Sequence, residues 1–253
     1  MLDIGHDVLT ARQFERSDLT RLAEVAERLE PIARGEKVCR VLEGAVMANL
    51  FFEPSTRTRI SFGAAFARLG GAVLDTSGLE TTSIVKGESL SDTARVISGY
   101  ADVIVVRHPT PEAAKIIAGA ALVPVINGGD GEAEHPTQAL TDFYTISKEL
   151  KARGKPIDGS TIVILGDLRF GRTTHSLITQ MSVFDDITFH LVSPEALAMP
   201  EAYADIARKR GHTVKVFRTL EEGLAGADVI YATRYQSERF QIEEFAITKL
   251  EGE

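Results

Sequence analysis

The chain has little of several features that would assign a protein to a narrow class. It contains one cysteine, Cys39, and no tryptophan. A single cysteine excludes an intrachain disulfide, which fits a reducing cytoplasm. No apolar run approaches the roughly 20 residues that a membrane-spanning helix needs, so we expect no membrane partner. The net charge of -8 provides no basic field for nucleic acid, so anions must be bound by local clusters of cationic side chains.

The sequence does have a repeated alternation of strand, polar turn and helix. Its 253 residues are 44% apolar, which is enough to bury a core in one large domain or two modest ones. Short apolar runs bounded by polar turns predict the strands. The predicted strands are 46–52, 72–76, 102–106, 122–126, 161–165, 187–192, 213–217 and 228–232.

Two of these runs, 103–106 and 161–165, are apolar without alternation. Strands that are covered on both faces have this pattern, which favours parallel sheets. We therefore predict an α/β fold of two open parallel-sheet domains with helices on both faces. The charged stretch 148–156 ends in chain breakers and indicates a junction between domains 1–150 and 151–253. In such a fold we expect the active site in the interdomain cleft, at the carboxyl ends of the strands.

The first helix is predicted from a cap and an apolar period. Ser17 can cap a helix in which Leu19, Leu22, Ala26 and Leu29 recur at the spacing of one face. We expect that face to be buried.

The most informative motif is Ser-Thr-Arg-Thr-Arg at 55–59. It stands between a predicted buried strand and a predicted helix, and Ser55 or Thr56 suits the N-cap. Free backbone N–H groups and the helix dipole favour an anion at that position. Arginine adds a planar fork that fits phosphate oxygens. A capped helix with two solvated arginines is the simpler alternative, but five such residues together favour a phosphate site.

Cationic side chains follow other predicted strands as well. The segments concerned are Arg107 with His108, the stretch from Asn127 to Gln138 that contains His135, the loop 166–172, and 233–236. Four of the five strand ends carry arginine and the remaining one carries histidine. Because the carboxyl ends of parallel strands meet at one edge of a sheet, this repetition predicts a site for a substrate with several negative charges.

Three better-known sites are disfavoured. Residues 166–173 resemble a P-loop, but Arg172 stands where that motif has lysine, and Asp228 begins its strand instead of ending it. The same segment lacks the middle glycine of a dinucleotide fingerprint. The six histidines lack zinc-ligand spacing, and His175 and His190 are predicted to be structural. We therefore expect no metal and no organic cofactor.

Several motifs in order give the chain a specific resemblance. They are Phe-Phe-Glu-Pro-Ser-Thr-Arg-Thr-Arg at 51–59, Lys-Gly-Glu-Ser at 86–89, Arg-His-Pro at 107–109, His-Pro-Thr-Gln at 135–138, Gly-Asp-Leu-Arg-Phe-Gly-Arg-Thr at 166–173 and Thr-Arg-Tyr-Gln at 233–236. The chain resembles the aspartate/ornithine carbamoyltransferase family over nearly its whole length, and the aspartate branch in particular. The resemblance implies carbamoyl transfer from carbamoyl phosphate to L-aspartate, an early step of pyrimidine synthesis.

The resemblance also implies roles for individual residues. The phosphate would be held by Ser55, Thr56, Arg57 and Thr58. The carbonyl oxygen of the carbamoyl group would face Thr58, Arg107 and His135, and Gln138 would orient the carbamoyl nitrogen. The two carboxylates of aspartate would be fixed by Arg172, Arg234 and Gln236. By the resemblance, domain 1–150 binds carbamoyl phosphate and domain 151–253 binds aspartate.

The resemblance further implies a homotrimer with shared active sites in the cytoplasm. Ser83 and Lys86 would reach into the neighbouring subunit's site, although the span between them is one residue shorter than in the family. The sequence leaves open whether regulatory or companion subunits bind.

The family's chains continue beyond the point where this sequence stops, with a substrate-contacting segment and a final helix. We therefore expect the second domain to be C-terminally incomplete and the closed form to be weakened. Two alternatives stay open, a carbamoyltransferase for another amine and a non-catalytic scaffold subunit. Two arginines disfavour ornithine, because a pocket for a cationic side chain should not present them.

Overall fold

The computed structural model describes residues 7–77, 87–131 and 134–235. The chain divides into two compact units, one ending at Thr137 and the other running from Gln138 onward. A short segment, Phe14–Arg16, groups with the second unit. The predicted boundary at residue 150 stays a prediction. Among the described residues, no helix has both the length and the apolar content that crossing a bilayer requires.

The first unit contains a four-stranded parallel sheet in the order β2-β1-β3-β4. Its strands are β1 (Val46–Phe51), β2 (Ala72–Ser77), β3 (Val103–His108) and β4 (Val125–Asp130). Its helices are α1 (Arg16–Ala33), α2 (Thr56–Arg68), α3 (Leu90–Ile97) and α4 (Ala113–Ala120), and α5 (Pro136–Ala152) carries the chain into the second unit.

Alternate residues of β1 face opposite sides of this sheet, and each side is buried. Ala48 and Leu50 belong to a core cluster that includes residues of α3 and α4. Met47 and Phe51 belong to a second cluster, against which Phe62 and other residues of α2 pack. Covering on both faces explains why these strands are apolar without alternation.

The second unit contains another four-stranded parallel sheet, in the order β7-β6-β5-β8. Its strands are β5 (Thr161–Leu165), β6 (Thr188–Val192), β7 (Thr213–Phe217) and β8 (Val229–Ala232). Its helices are α6 (Arg172–Met181), α7 (Glu201–Lys209) and the short α8 (Leu220–Gly223). The predicted fold class of two parallel α/β sheets is confirmed.

Two local predictions were wrong. The fourth strand was expected at 122–126, but β4 continues to Asp130 through the polar stretch that begins at Asn127. Its backbone pairs there with β3, and the Asn127 N–H donates to the Val8 carbonyl at 2.8 Å, so tertiary pairing overrides the low strand propensity. In α1 only Leu19 of the expected apolar face is buried, and Leu29 is 36% exposed.

Candidate active site

The Ser-Thr-Arg-Thr-Arg motif lies at the start of α2, as predicted. Ser55 occupies the N-cap position in an extended conformation, but its side chain makes no capping hydrogen bond. Arg57 is exposed in the first turn, and no residue of α2 is buried. The helix therefore has two hydroxyls at its N-terminus, those of Ser55 and Thr56, and Thr58 is half-buried within the first turn. Uncapped backbone N–H groups beside a guanidinium form a suitable anion site.

A buried side-chain amide holds this motif in place through hydrogen bonds. Asn49 lies in β1 and is 1% exposed. Its Nδ2 donates to the Arg59 carbonyl oxygen at 3.2 Å and to Asp75 Oδ1 at 2.7 Å. The Arg59 Nε lies 3.5 Å from Asp75 Oδ2, which closes the group. Asn49 therefore ties the first turn of α2 to β1 and β2, and its signal in the sequence was a polar residue inside an apolar strand.

Arg107 lies near the end of β3, beside the end of β1, because Phe51 and Arg107 are register partners in the parallel sheet. The residue is buried, and its Nε lies 3.0 Å from Glu53 Oε2. Its Nη1 donates to the Gly128 carbonyl oxygen in β4 at 3.4 Å. Arg107 thus contacts the segment that follows β1 and the second half of β4, so the sheet brings three predicted strand ends together. Sequence reasoning gave Glu53 no separate role.

Two histidines occupy the same edge of the first sheet. His108 is buried at the end of β3, and its Nδ1 accepts a hydrogen bond from the Thr110 N–H at 3.0 Å. Burial lowers the pKa of His108, so the ring is neutral at pH 7. His135 is also buried, just before α5, and its Nδ1 lies 3.3 Å from Thr137 Oγ1. An antiparallel bridge between Asp130 and the residue preceding His135 brings that histidine back to β4.

Gln138 lies in the first turn of α5 and begins the second unit. Its Nε2 donates to Asp142 Oδ1 at 2.9 Å, one helical turn later. Asp142 was not among the predicted site residues, and a polar pair at i and i+4 is too common a pattern to identify one.

The loop between β5 and α6 is fixed by its own residues. Asp167 is fully buried, and its Oδ1 accepts from the backbone N–H groups of Arg169 and Phe170 at 3.2 and 2.9 Å. Gly166 has a φ of 109°, and a Cβ there would lie 2.2 Å from the Thr233 carbonyl oxygen. Only glycine fits this close approach of two strand ends. The loop is therefore shaped before any ligand arrives.

Arg172 and Arg234 follow adjacent strands of the second sheet. Leu165 of β5 pairs with Ala232 of β8, and the Thr233 N–H donates to the Leu165 carbonyl oxygen at 2.9 Å. Arg172 begins α6 and is buried, whereas Arg234 is exposed and its Nη1 donates to the Tyr235 carbonyl oxygen at 3.0 Å. The second sheet thus carries both arginines at its carboxyl edge, as predicted.

The two structural histidines also lie where they were expected. His175 Nε2 lies 2.9 Å from the Leu168 carbonyl oxygen, and its ring stacks on Tyr203 with centroids 4.1 Å apart. His190 Nδ1 lies 2.8 Å from the Gly223 carbonyl oxygen. His175 therefore ties α6 back to its preceding loop. Among residues 7–77, 87–131 and 134–235, no group of three His, Cys, Asp or Glu side chains is placed to hold a metal ion.

Three predicted site residues, Ser83, Lys86 and Gln236, lie outside the described residues. The other nine divide between the two units. Those at the first sheet are Ser55, Thr56, Arg57, Thr58, Arg107 and His135, and those in the second unit are Gln138, Arg172 and Arg234. Two parallel sheets with arginines at their carboxyl edges define an α/β class of protein whose ligand edges suit small anions.

Sequence models for two domains of one family match the chain. The model described as "Aspartate/ornithine carbamoyltransferase, carbamoyl-P binding domain" matches residues 6–148. The model described as "Aspartate/ornithine carbamoyltransferase, Asp/Orn binding domain" matches residues 158–251. The chain belongs to the aspartate/ornithine carbamoyltransferase family.

Individual relatives lie in the aspartate branch. The aspartate carbamoyltransferase catalytic subunit of Saccharophagus degradans is 52% identical over 242 residues, which cover 96% of this chain and 72% of that protein. The corresponding subunit of Archaeoglobus fulgidus is 49% identical over 237 residues, covering 94% and 76% respectively. The crystal structure of aspartate transcarbamoylase from Trypanosoma cruzi in complex with carbamoyl phosphate and aspartate superposes with a TM-score of 0.87. It is 39% identical, and the match covers 97% of this chain and 77% of that one.

Proposed function

We propose that this chain is an enzyme that transfers the carbamoyl group of carbamoyl phosphate to the amine of L-aspartate. The products are N-carbamoyl-L-aspartate and phosphate, and the reaction belongs to pyrimidine synthesis. The observation that carries this proposal is the likeness to the Trypanosoma cruzi enzyme with both substrates bound, at a TM-score of 0.87. The arginines at the edges of both sheets have the charge that such substrates require.

The start of α2 is the proposed phosphate site. The Ser55, Thr56 and Thr58 hydroxyls and the backbone N–H groups of the first turn would donate to the phosphate oxygens, and Arg57 would supply charge. The absence of a capping bond from Ser55 supports this role, because that hydroxyl is not used to cap the helix.

Arg107 and His135 are the proposed donors to the carbamoyl oxygen, together with Thr58. When the aspartate amine attacks the carbamoyl carbon, negative charge develops on that oxygen. A preorganised donor aimed at such an oxygen contributes about 3–4 kcal/mol to transition-state stabilisation. Arg107 is held in place by Glu53 and Gly128, and its guanidinium stays charged at any working pH.

Arg172 and Arg234, with Gln236, are the proposed ligands of aspartate's two carboxylates. Two guanidiniums suit a dicarboxylate and repel the ammonium group of ornithine. As the carbon–oxygen bond to phosphate breaks, the leaving phosphate takes the proton from the attacking amine. No protein base is then required, and the role of the chain is to orient the substrates and to stabilise charge.

We further propose a cytoplasmic homotrimer in which Ser83 and Lys86 enter the neighbouring subunit's site. Mixing a Lys86→Ala chain with an Arg57→Ala chain tests this arrangement. Shared sites predict that the hybrids regain part of the activity, and proven hybrids without any rescue would contradict it.

The direct test of the reaction is phosphate release from carbamoyl phosphate with L-aspartate, and separately with L-ornithine. We expect release with aspartate alone. Release with ornithine alone would overturn the roles of Arg172 and Arg234. Release with neither amine, from folded protein that still binds carbamoyl phosphate, would instead support a scaffold subunit.

A further inference from the structure

Gln138 and Asp142 form a directed pair within α5. They are four residues apart, so their side chains lie on the same face of the helix. Gln138 Nε2 donates to Asp142 Oδ1 at 2.9 Å, and both side chains are half-buried.

The bond determines which end of the Gln138 amide faces away from Asp142. Burial raises the pKa of the Asp142 carboxyl. In its ionised form this carboxylate can only accept hydrogen bonds, so it selects the NH₂ end of the amide. The Gln138 carbonyl oxygen, Oε1, is then the atom left to meet a ligand. Without Asp142 the amide could turn over and present the opposite chemistry, a donor instead of an acceptor.

Asp142 also lies near a side chain of the second sheet. Tyr231 of β8 interacts with Asp142 and with Thr173, the second residue of α6. Burial raises the pKa of the Tyr231 phenol, so its hydroxyl stays protonated and available as a donor at neutral pH. Tyr231 therefore brings the second sheet close to Asp142 and to the start of α6.

We propose that Asp142 is a positioning residue that keeps the Gln138 carbonyl oxygen available to the NH₂ group of the carbamoyl donor. The inference rests on the proposed function, in which Gln138 faces the carbamoyl nitrogen. It deepens that function by giving Asp142 a role in substrate selection. Through Gln138, Asp142 would favour a phosphorylated substrate that carries NH₂ on its carbonyl over one that carries a methyl group in the same place. The two donors share the phosphate and the carbonyl, so only this contact distinguishes them.

The test uses two stable phosphonates, phosphonoacetamide and phosphonoacetone, which differ in having NH₂ or CH₃ on the carbonyl. Their dissociation constants are measured by calorimetry, without turnover. We expect the wild-type chain to prefer the amide. Gln138→Ala should lower that preference about tenfold, the usual value of one hydrogen bond to a ligand. Asp142→Ala should lower it by about threefold or more, since the amide then samples both orientations.

Two further variants separate positioning from general damage. Asp142→Asn keeps the shape and one accepting oxygen but can also donate, so we expect an intermediate preference. The double variant Gln138→Ala/Asp142→Ala should match Gln138→Ala alone, because Asp142 acts only through the glutamine. Thr145→Ala is the control, since Thr145 is an exposed residue of the same helix whose hydroxyl donates to the Thr141 carbonyl oxygen. It should leave the ratio unchanged.

The outcomes are distinguishable. A loss of preference in Gln138→Ala together with full preference in both Asp142 variants would overturn the role of Asp142 and leave that of Gln138 intact. Full preference in Gln138→Ala would overturn the proposed role of Gln138, and the role of Asp142 with it. Equal weakening of both phosphonates in Asp142→Ala and Asp142→Asn would mean a structural role only, and would also overturn the inference.

Discussion

The helices α2 and α6 occupy equivalent places, each following a central strand of its sheet, yet they differ in burial. Every residue of α6 is buried except Thr173, whereas α2 has no buried residue. Both begin with arginine and threonine, and both are expected to meet an anion. The start of α6 is therefore enclosed by the folded chain, while that of α2 is left open.

The segments that precede the two helices differ in the same way. The loop before α6 is fixed by Asp167, by the close approach of Gly166 to Thr233 and by the bond from His175 to the Leu168 carbonyl. Before α2, the Ser55 side chain makes no capping bond. The carboxyl edge of the second sheet (the second edge) is thus preorganised by local contacts. The carboxyl edge of the first sheet (the first edge) depends on Asn49, Arg107 and the bound ligand. Preorganised donors lower a barrier most when they need not move.

The largest expected effect is on the first edge, through Arg107→Ala. The substitution removes the charged donor proposed to face the carbamoyl oxygen, and it removes the ion pair between Arg107 and Glu53. We expect kcat to fall about 10²- to 10³-fold while the fold persists. Steady-state phosphate release and a circular dichroism spectrum measure the two properties.

Arg95→Ala is the matched control, because Arg95 is an exposed arginine of the first unit that pairs with Asp92 at 3.2 Å. It should change kcat by less than about twofold, since exposed ion pairs contribute little. Near-normal turnover by Arg107→Ala would remove that residue from the catalytic group.

The second edge is best disrupted at Gly166. In Gly166→Ala the new Cβ would lie 2.2 Å from the Thr233 carbonyl oxygen, and the φ of 109° strains any L side chain. We expect a loss of about 3 kcal/mol in the free energy of unfolding, from backbone strain and the clash together. Urea titration of the purified chain measures the loss.

Gly211→Ala separates the two causes in the same unit. Gly211 has a φ of 90°, but nothing lies within 4 Å of its added Cβ. This variant should lose only about 1 kcal/mol, the cost of the backbone conformation. Equal losses at the two glycines would show that the approach to Thr233 does not fix the loop.

Much of the fold could be predicted from the sequence, because continuous apolar runs mark strands that are covered on both faces. β5 and β7 have the predicted bounds, and most others differ by one or two residues. The polar second half of β4 could not be predicted, since it forms a strand only through pairing with β3 and Val8. Such partners are distant in sequence, and local propensity contains no information about them.

The residues of the candidate site also divide into those that the sequence could predict and those that it could not. Arg107, His135 and Arg172 follow predicted strands, so their placement near the carboxyl ends of the sheets could be predicted from the sequence. Asn49 contacts the Arg59 backbone carbonyl and the Asp75 side chain, and Asp142 contacts the Gln138 amide. These contacts exist only in the folded chain. A polar residue inside an apolar strand marks Asn49 in the sequence, but only the structure shows its partners, and the spacing of Gln138 and Asp142 is too common to identify a pair.

The smallest expected effect concerns the pH dependence of stability, which we expect to arise in part at the first edge. Burial lowers the pKa of His108 at the first edge, so the unfolded chain binds a proton there before the folded chain does. Stability from this group is complete above the ordinary histidine pKa of about 6.5, and it is lost as pH falls towards the lower folded value. His108→Asn keeps an acceptor for the Thr110 N–H but cannot titrate. We expect its unfolding free energy to fall less between pH 7.5 and pH 5 than that of the wild type, measured by urea titration at both pH values.

The control is Thr110→Ala, which leaves the backbone N–H in place and should keep the wild-type pH dependence of the unfolding free energy. A His108→Asn slope as steep as the wild-type slope would mean that the acid sensitivity arises elsewhere in the chain.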